Sequence, residues 1–249
     1  MAESFDGLKA LSDMDYPGRF IMLGRANNDD VVAVYGITGR SAPSQARRLV
    51  KKFDFGVWKI EVEPTNVEEL KRGNAELLLY TAMETFANKI VVGNGKQTEG
   101  LIEKLDYRNP IHSLTLHHKD WLYEPDANYT PRITGCIGYD TTAFCIIKRD
   151  DSGSAIRQYF EIPLQAGRGS LIATYTGENK NPLPSFRGEP LSLNLDGLTD
   201  SDHTAKSFFD ALAPKNPALD FRVSVAAVHK KLRGEISMSI INRVDLEKK

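Results

Sequence analysis

The stretch 132–148, RITGCIGYDTTAFCIIK, decides the fold together with the run Ala155–Leu164 beyond it. Both are apolar and rich in β-branched residues. Asp150-Asp151-Ser152-Gly153 between them is a hairpin signal, because Asp and Gly accept the backbone angles that a tight turn between strands requires. The same grammar recurs toward the N-terminus. Arg19–Gly24 and Val31–Ile37 flank the Asn/Asp cluster 26–30, and Phe55–Glu63 alternates in the manner of a strand. Leu77–Ala82 and Lys89–Gly93 read as a further pair, with Tyr80 closing the apolar part of the first. Toward the C-terminus, Leu171–Thr176 adds a strand, Asn179–Pro190 is a Pro/Gly/Asn loop, and Ile236–Ile241 is the last strand.

Helical spacing is found in Gln97–Leu105, through Leu101, Ile102 and Leu105, and in His203–Leu212; it is weaker in Pro110–His118. Phe221–His229 fits either state, Asn66–Asn74 reads as a surface turn or short helix, and the first ten or so residues as a tail or short helix. Nine or ten strands joined by short turns, against three or four helices, predict an α+β fold with largely antiparallel sheets. No linker rich in Gly, Ser or Pro divides the chain, so residues 1–249 are expected to form a single domain, with 1–15 as its tail.

The 249 residues are 41% apolar and 26% charged, near the soluble globular average and enough to bury a core without disulfides or metal. A formal net charge of -1 gives no bulk footprint for nucleic acid. Cys136 and Cys145 lie in strand-like sequence and read as buried free thiols, with no Cys/His spacing of the zinc type. Residues 1–11 carry acids and no apolar run, unlike a signal peptide, and the longest apolar stretches are strand-sized. A cytoplasmic protein acting away from membranes is expected.

Four clusters can carry chemistry, each with a plainer reading beside it. Gly39-Arg40-Ser41-Ala42-Pro43, followed by Arg47 and Arg48, can offer a guanidinium fork to a phosphate or carboxylate, or be a solvated turn. Tyr80 can be a general acid or oxyanion donor, or an amphipathic residue at the edge of the core. Val91-Val92-Gly93-Asn94-Gly95 leads into Lys96-Gln97-Thr98, where Asn94 can offer its amide to a polar ring, or the segment is a simple turn. Tyr123-Glu124-Pro125-Asp126 leads to Thr130-Pro131-Arg132; Glu124 can move a proton and Arg132 can orient it or bind an anion, or both are ordinary surface charges.

Taken in order, these clusters resemble the archaeal-type IMP cyclohydrolase family. The matching features are Tyr16-Pro17-Gly18-Arg19, Val34-Tyr35 leading into Gly39-Arg40-Ser41 with Pro43, Tyr80, Val91-Val92-Gly93-Asn94-Gly95 with Thr98, Tyr123-Glu124, Thr130-Pro131-Arg132-Ile133 and Ile172-Ala173-Thr174-Tyr175. The resemblance covers residues 16–176, leaving 177–249 as a less familiar part of the same domain. It implies a four-layer αββα sandwich like that of N-terminal-nucleophile hydrolases. Their nucleophile is missing, since Met1-Ala2-Glu3-Ser4 offers no Cys, Ser or Thr at the start.

The resemblance also implies an activity: closure of 5-formamidoimidazole-4-carboxamide ribonucleotide to IMP with loss of water. The attacking carboxamide nitrogen is a poor nucleophile and the formamide carbonyl a poor electrophile, so the reaction gains from a near-attack pose, an oxyanion donor and a proton acceptor. It needs no metal and no redox cofactor. By resemblance Tyr80 is the donor or acid and Glu124 the proton-handling partner. Arg40, Arg132 and Arg47 would hold the 5′-phosphate or carboxamide, and Asn94 the base. The expected partners are the purine ribonucleotide substrate and product, and a homo-oligomer is compatible with this reading. A non-catalytic purine-nucleotide-binding protein on the same fold is the alternative. An N-terminal-nucleophile amidohydrolase and a structural protein are more distant ones.

Overall fold

The computed structural model describes residues 6–231 and 234–247. The Met1-Ala2-Glu3-Ser4 stretch therefore lies outside the described residues. Thirteen strands are found among them: β1 (Arg19–Arg25), β2 (Val31–Thr38), β3 (Arg47–Asp54), β4 (Val57–Pro64), β5 (Thr81–Phe86), β6 (Lys89–Gly93), β7 (Arg132–Ile137), β8 (Thr141–Arg149), β9 (Ala155–Pro163), β10 (Arg168–Ala173), β11 (Leu191–Asn194), β12 (Arg222–Lys230) and β13 (Ile236–Asn242). They form a six-stranded sheet in the order β11-β10-β1-β2-β12-β13 and a seven-stranded sheet in the order β3-β4-β5-β6-β7-β8-β9. Every neighbouring pair in both sheets is antiparallel. The expected α+β class with antiparallel sheets holds.

The alternation along the strands explains how the larger sheet is buried. Ile90, Val92, Ile133, Ile137, Phe144 and Ile146 belong to a core shared with the six-stranded sheet, including Phe20, Ile21, Tyr35 and Val225. The residues between them, Val91, Cys136, Ala143, Cys145 and Ile147, join a second core with Leu101, Ile102, Leu105 and Leu114 from the helical segments Leu101–Lys104 and Pro110–His118. A period of two thus sends successive side chains to two different apolar cores. Both cysteines are buried and free, as expected.

On the six-stranded sheet, helix Ser201–Ala211 packs against β12 and β13. Asp200 caps it by accepting a hydrogen bond from the His203 N–H at 2.8 Å. Its Phe208 ring stacks on Phe20 of β1 with centroids 5.8 Å apart. Gly36 on β2 lies beneath the Phe20 ring, where a Cβ would collide with it. Of the two readings for the N-terminal segment, the helix is found: Gly7–Ser12, capped by Asp6, with Leu11 buried.

Three details differ from expectation. Leu77 and Leu78 close a helical turn, Ala75–Leu78, so Tyr80 stands just ahead of β5 rather than at the end of a strand. Asn74 nucleates that turn by accepting from the Glu76 N–H at 3.1 Å, and a run of leucines fits either state by pattern alone. The strand β3 was not foreseen. It is an edge strand whose outer half, Lys51-Lys52-Phe53-Asp54, is exposed and shows no apolar alternation. The turn Phe55-Gly56, with φ of 48° and 80°, returns the chain into β4. The run 132–148 divides into β7 and β8. Of the two readings for Phe221–His229 the strand is found, as β12 between β2 and β13.

Phe208→Ala should cost about 3–5 kcal/mol, the usual penalty for truncating a buried phenylalanine. Urea denaturation measures it, and a loss under 1 kcal/mol would mean that helix Ser201–Ala211 does not dock through this ring.

Candidate active site

The site grows from the first turn before β1. Gly18 has φ +76°, and a Cβ there would overlap Thr174 and Tyr175, so the backbone passes closer to β10 than any other residue permits. The Gly18 carbonyl accepts from the Thr38 N–H at 2.7 Å and from the Thr38 hydroxyl at 2.8 Å. The Thr174 hydroxyl donates to the Pro17 carbonyl at 3.1 Å and accepts from the Arg19 N–H at 3.1 Å. Arg19 is thereby fixed at the head of a strand whose next four residues, Phe20–Leu23, are fully buried.

Its side chain reaches the loop ahead of β7. Arg19 Nη2 donates to Glu124 Oε1 at 2.5 Å, and both residues are buried. Asp126 shapes the Glu124 loop by accepting from the Thr130 N–H at 2.8 Å and its hydroxyl at 2.6 Å, while the Glu124 N–H donates to the Thr130 carbonyl at 2.9 Å. Asn94, at the end of β6, donates its amide to Glu124 Oε1 at 3.4 Å and to the Pro131 carbonyl at 2.8 Å. Its Oδ1 accepts from the Ile133 N–H and from Gln97. Among the described residues nothing donates a hydrogen bond to Glu124 Oε2.

Burial pushes the Glu124 carboxyl above the ordinary carboxylate range, while Arg19 and then Arg132 pull it back down. Burial opposes the charge on Arg19, but the Glu124 carboxylate and the hydroxyls of Tyr80, Tyr35 and Tyr175 around it keep the guanidinium protonated. The Tyr35 and Tyr80 hydroxyls are 2.7 Å apart and hydrogen-bonded. Burial, and then Tyr80, raise the Tyr35 phenol well above its usual range. Arg47 donates from Nε to the Ser44 carbonyl at 2.8 Å, and its buried Nη1 has no partner among the described residues.

A cavity of about 590 Å³ opens on this arrangement, a size typical for a small-molecule site. Arg19, Glu124 and Arg40 line it, with Tyr16, Thr130 and Tyr175. Arg40 lies over the Tyr16 ring at 5.2 Å and donates to Asn179 Oδ1 and to the Lys180 carbonyl. Of the six residues singled out from sequence, Arg40 and Glu124 thus share the cavity wall. Asn94 lies behind Glu124 with its amide engaged by protein, and Arg132 is pinned to the Leu122 carbonyl, Gln97 and the Trp121 ring. Tyr80 and Arg47 are buried on the Tyr35 side and are not among the lining residues.

Arg19 and Tyr35 lie within the matching motifs, and the sequence alone gives them no role. The available signal was chemical. An arginine opening a strand of solid apolar residues must be buried, and a buried guanidinium demands a carboxylate. This predicts that Arg19→Met costs about 3–5 kcal/mol by stranding Glu124, and that adding Glu124→Leu restores part of the loss. Urea denaturation of both singles and the double gives the coupling; additive losses would mean the pair does not interact.

Residues 16–232 match the family described as IMP cyclohydrolase-like protein. The match runs well past residue 176, into β12. Among curated relatives, the IMP cyclohydrolase of Haloquadratum walsbyi is 32% identical over 168 residues, 67% of this chain and 73% of that protein. The IMP cyclohydrolase of Methanocella arvoryzae is 29% identical over 161 residues, 64% of this chain and 74% of its own. That of Halobacterium salinarum is 25% identical over 226 residues, 88% of this chain and 94% of its own. With this match and a cavity built from the motifs that carry it, the chain belongs to the IMP cyclohydrolase-like protein family.

Proposed function

We propose that this protein is an IMP cyclohydrolase, closing 5-formamidoimidazole-4-carboxamide ribonucleotide to IMP with loss of water in purine biosynthesis. The observation that carries the site assignment is the buried Glu124, held by Arg19 at the wall of a cavity that also presents Arg40. The reading takes the chain as a single cytoplasmic domain with the four-layer αββα arrangement. The apolar core shared by both sheets supports the two inner layers, and the second core beneath Pro110–His118 supports an outer one.

In the proposed mechanism the formamide carbon is held against the carboxamide nitrogen, so that orientation supplies part of the acceleration. The nitrogen attacks the carbonyl carbon and passes one proton to Glu124 Oε2, the carboxylate oxygen without a protein donor. Arg19 and Asn94 hold Oε1 and set the plane of the carboxylate. The carbonyl oxygen gains negative charge, and the proposed donor to it is Tyr80, which lies behind the cavity wall and must turn its hydroxyl from Tyr35 toward the substrate to reach it. The oxygen then leaves as water, carrying the proton from the attacking nitrogen and the one from the formamide N–H. No electrons change hands, so the step balances without an oxidant or reductant.

Arg40 and Arg47 are the proposed cationic contacts for the 5′-phosphate. Arg40 fits through its place in the cavity wall; Arg47 lies outside that wall, and its unpartnered Nη1 is what supports it. Asn94 and Arg132, with their groups bonded to protein, serve this reading by holding Glu124 and tuning its charge rather than by reading the base.

Supplied with the formamido ribonucleotide, the purified protein should form IMP, followed by the ultraviolet spectrum of the purine. Tyr80→Phe and Glu124→Gln should each lower kcat on the order of 100- to 1,000-fold with KM little changed, as for loss of one oxyanion donor or proton acceptor. Wild-type rates in both would remove these roles, and tight nucleotide binding without turnover would favour a binding protein.

The pH profile carries a sign as well. Glu124 must be ionised to accept the proton, and burial raises its pKa. The acid limb of kcat/KM should therefore fall above the ordinary carboxyl value of about 4.3, and Glu124→Gln should flatten that limb. An unchanged limb in the Gln variant would assign it to another group.

A further inference from the structure

We propose that a second cavity, at the opposite end of β1, is a binding site for a small ligand carrying a phosphate and a planar ring, the chemistry of a nucleotide. The cavity measures about 360 Å³ and is lined by the ends of strands from both sheets. Arg25 ends β1, Lys230 ends β12, Asn88 lies in the β5–β6 turn, and Tyr139 and Asp140 form the β7–β8 turn. Arg19 and Arg25 bracket β1, so the two sites are about 20 Å apart at the usual rise per residue of a strand. The inference stands on these residues alone and does not depend on the reaction at the first site.

Two cationic groups here lack the partners that buried charges require. Lys230 is only 4% exposed. Among the described residues the single hydrogen bond of its ammonium is a long one, 3.4 Å to the Thr85 hydroxyl, and no carboxylate pairs with it. Burial accordingly lowers its pKa to about 8. Arg25 has a buried Nε with no partner among the described residues. An ammonium withdrawn from water without a counter-charge costs free energy that a bound anion returns. Lys231, also in the wall, is already paired with Glu235 at 2.6 Å. Asp140 is the single carboxylate among the lining residues. Two unpaired cations against one carboxylate leave a net positive charge, which favours an anion such as a phosphate monoester.

The opposite wall supplies a surface for a ring. Tyr139 is 69% exposed yet not loose: its N–H donates to the Tyr107 carbonyl at 2.8 Å. Its ring meets that of Tyr107 edge to face, at 6.1 Å and 85°. One face of Tyr139 is therefore available for stacking, which every nucleobase can use. The Asn88 amide offers a donor and an acceptor for a ring edge. Asp140 can accept from a ribose hydroxyl, the usual task of a carboxylate between a phosphate site and a base site.

Calorimetric titration of the full-length protein with adenosine 5′-monophosphate, inorganic phosphate and adenosine tests this. Lys230→Met, Tyr139→Ala and, to remove nucleotide binding at the first cavity, Arg40→Ala serve as variants. The nucleotide should bind the Arg40→Ala protein. Adding Lys230→Met to that background should weaken binding on the order of tenfold or more, through loss of a buried charge contact. Adding Tyr139→Ala should weaken it by roughly 5- to 150-fold, through loss of base stacking. Inorganic phosphate should bind more weakly and respond to Lys230→Met alone, and adenosine to Tyr139→Ala alone. Turnover by the Lys230→Met and Tyr139→Ala single variants should stay within about twofold of wild type. Tyr139 is a surface side chain, so its variant carries the test even if the lysine variant fails to fold. Failure of the Arg40→Ala protein to bind the nucleotide at millimolar concentration overturns the proposal, as does wild-type affinity in both added variants. Nucleotide binding that responds to Lys230→Met but not to Tyr139→Ala, with no binding of adenosine, overturns the nucleotide half of the proposal and leaves an inorganic anion site.

Discussion

A buried guanidinium and carboxylate, joined at the wall of a cavity, set the terms for the rest of this molecule. Arg19 heads a strand of the six-stranded sheet, and Glu124 precedes a strand of the seven-stranded one. Withdrawing both charges from water costs several kcal/mol per ion, which their attraction offsets only if the geometry is held. The buried polar residues nearby are accounted for by that requirement. Thr38 and Thr174 tie down the backbone on either side of Gly18; Asn94 and Gln97 anchor the approach to β7; Asp126 and Thr130 fold the loop that carries Glu124. Each is itself hydrogen-bonded, so the network adds few unsatisfied groups to a site already costly in desolvation.

The carboxylate that results has two unlike oxygens. Oε1 is taken by Arg19 and Asn94, and Oε2 is left to whatever enters the cavity. Burial raises the Glu124 pKa and Arg19 works against that rise, so the carboxylate is more basic than one in water. A proton acceptor for a weakly acidic amide needs this intermediate state, which neither an exposed Glu nor an unpaired buried one would supply.

What the chain made legible follows from the range of each interaction. Hairpins were readable because turn residues and strand alternation are local: Asp150–Gly153 and the 26–30 cluster lie between the strands they predict. The charged edge strand β3 was hidden because an exposed edge is protected by lysines, which erase the apolar alternation. The helical turn at Ala75–Leu78 was missed because its signal is the Asn74 cap rather than its leucines. In the site, Arg40 and Glu124 stood out as charged residues in Pro-stiffened loops. Arg19 did not, since the carboxylate that explains it lies 105 residues away along the chain. Tyr80 is a candidate by its residue type and motif, and its pairing with Tyr35, 45 residues away along the chain, could come only from the fold.

β1 also shows why charge gathers at both of its ends. The interval Phe20–Leu23 is fully buried, so polar side chains are tolerated only where the strand emerges. Arg19 and Arg25 occupy those two positions, each with a buried Nε lacking a partner. An unsatisfied donor costs about 1–3 kcal/mol, and the apolar interval offsets that cost. The same interval separates the two ends. Unit charges about 20 Å apart interact by only about 0.8 kcal/mol at an effective dielectric of about 20, before salt screens them further. Coupling between the cavities along β1 would therefore need movement of the strand itself. The Phe20 ring, wedged between Gly36 and Phe208, gives the strand little room to slide. The fold thus lets one strand serve two charged sites while keeping the electrostatics of each local.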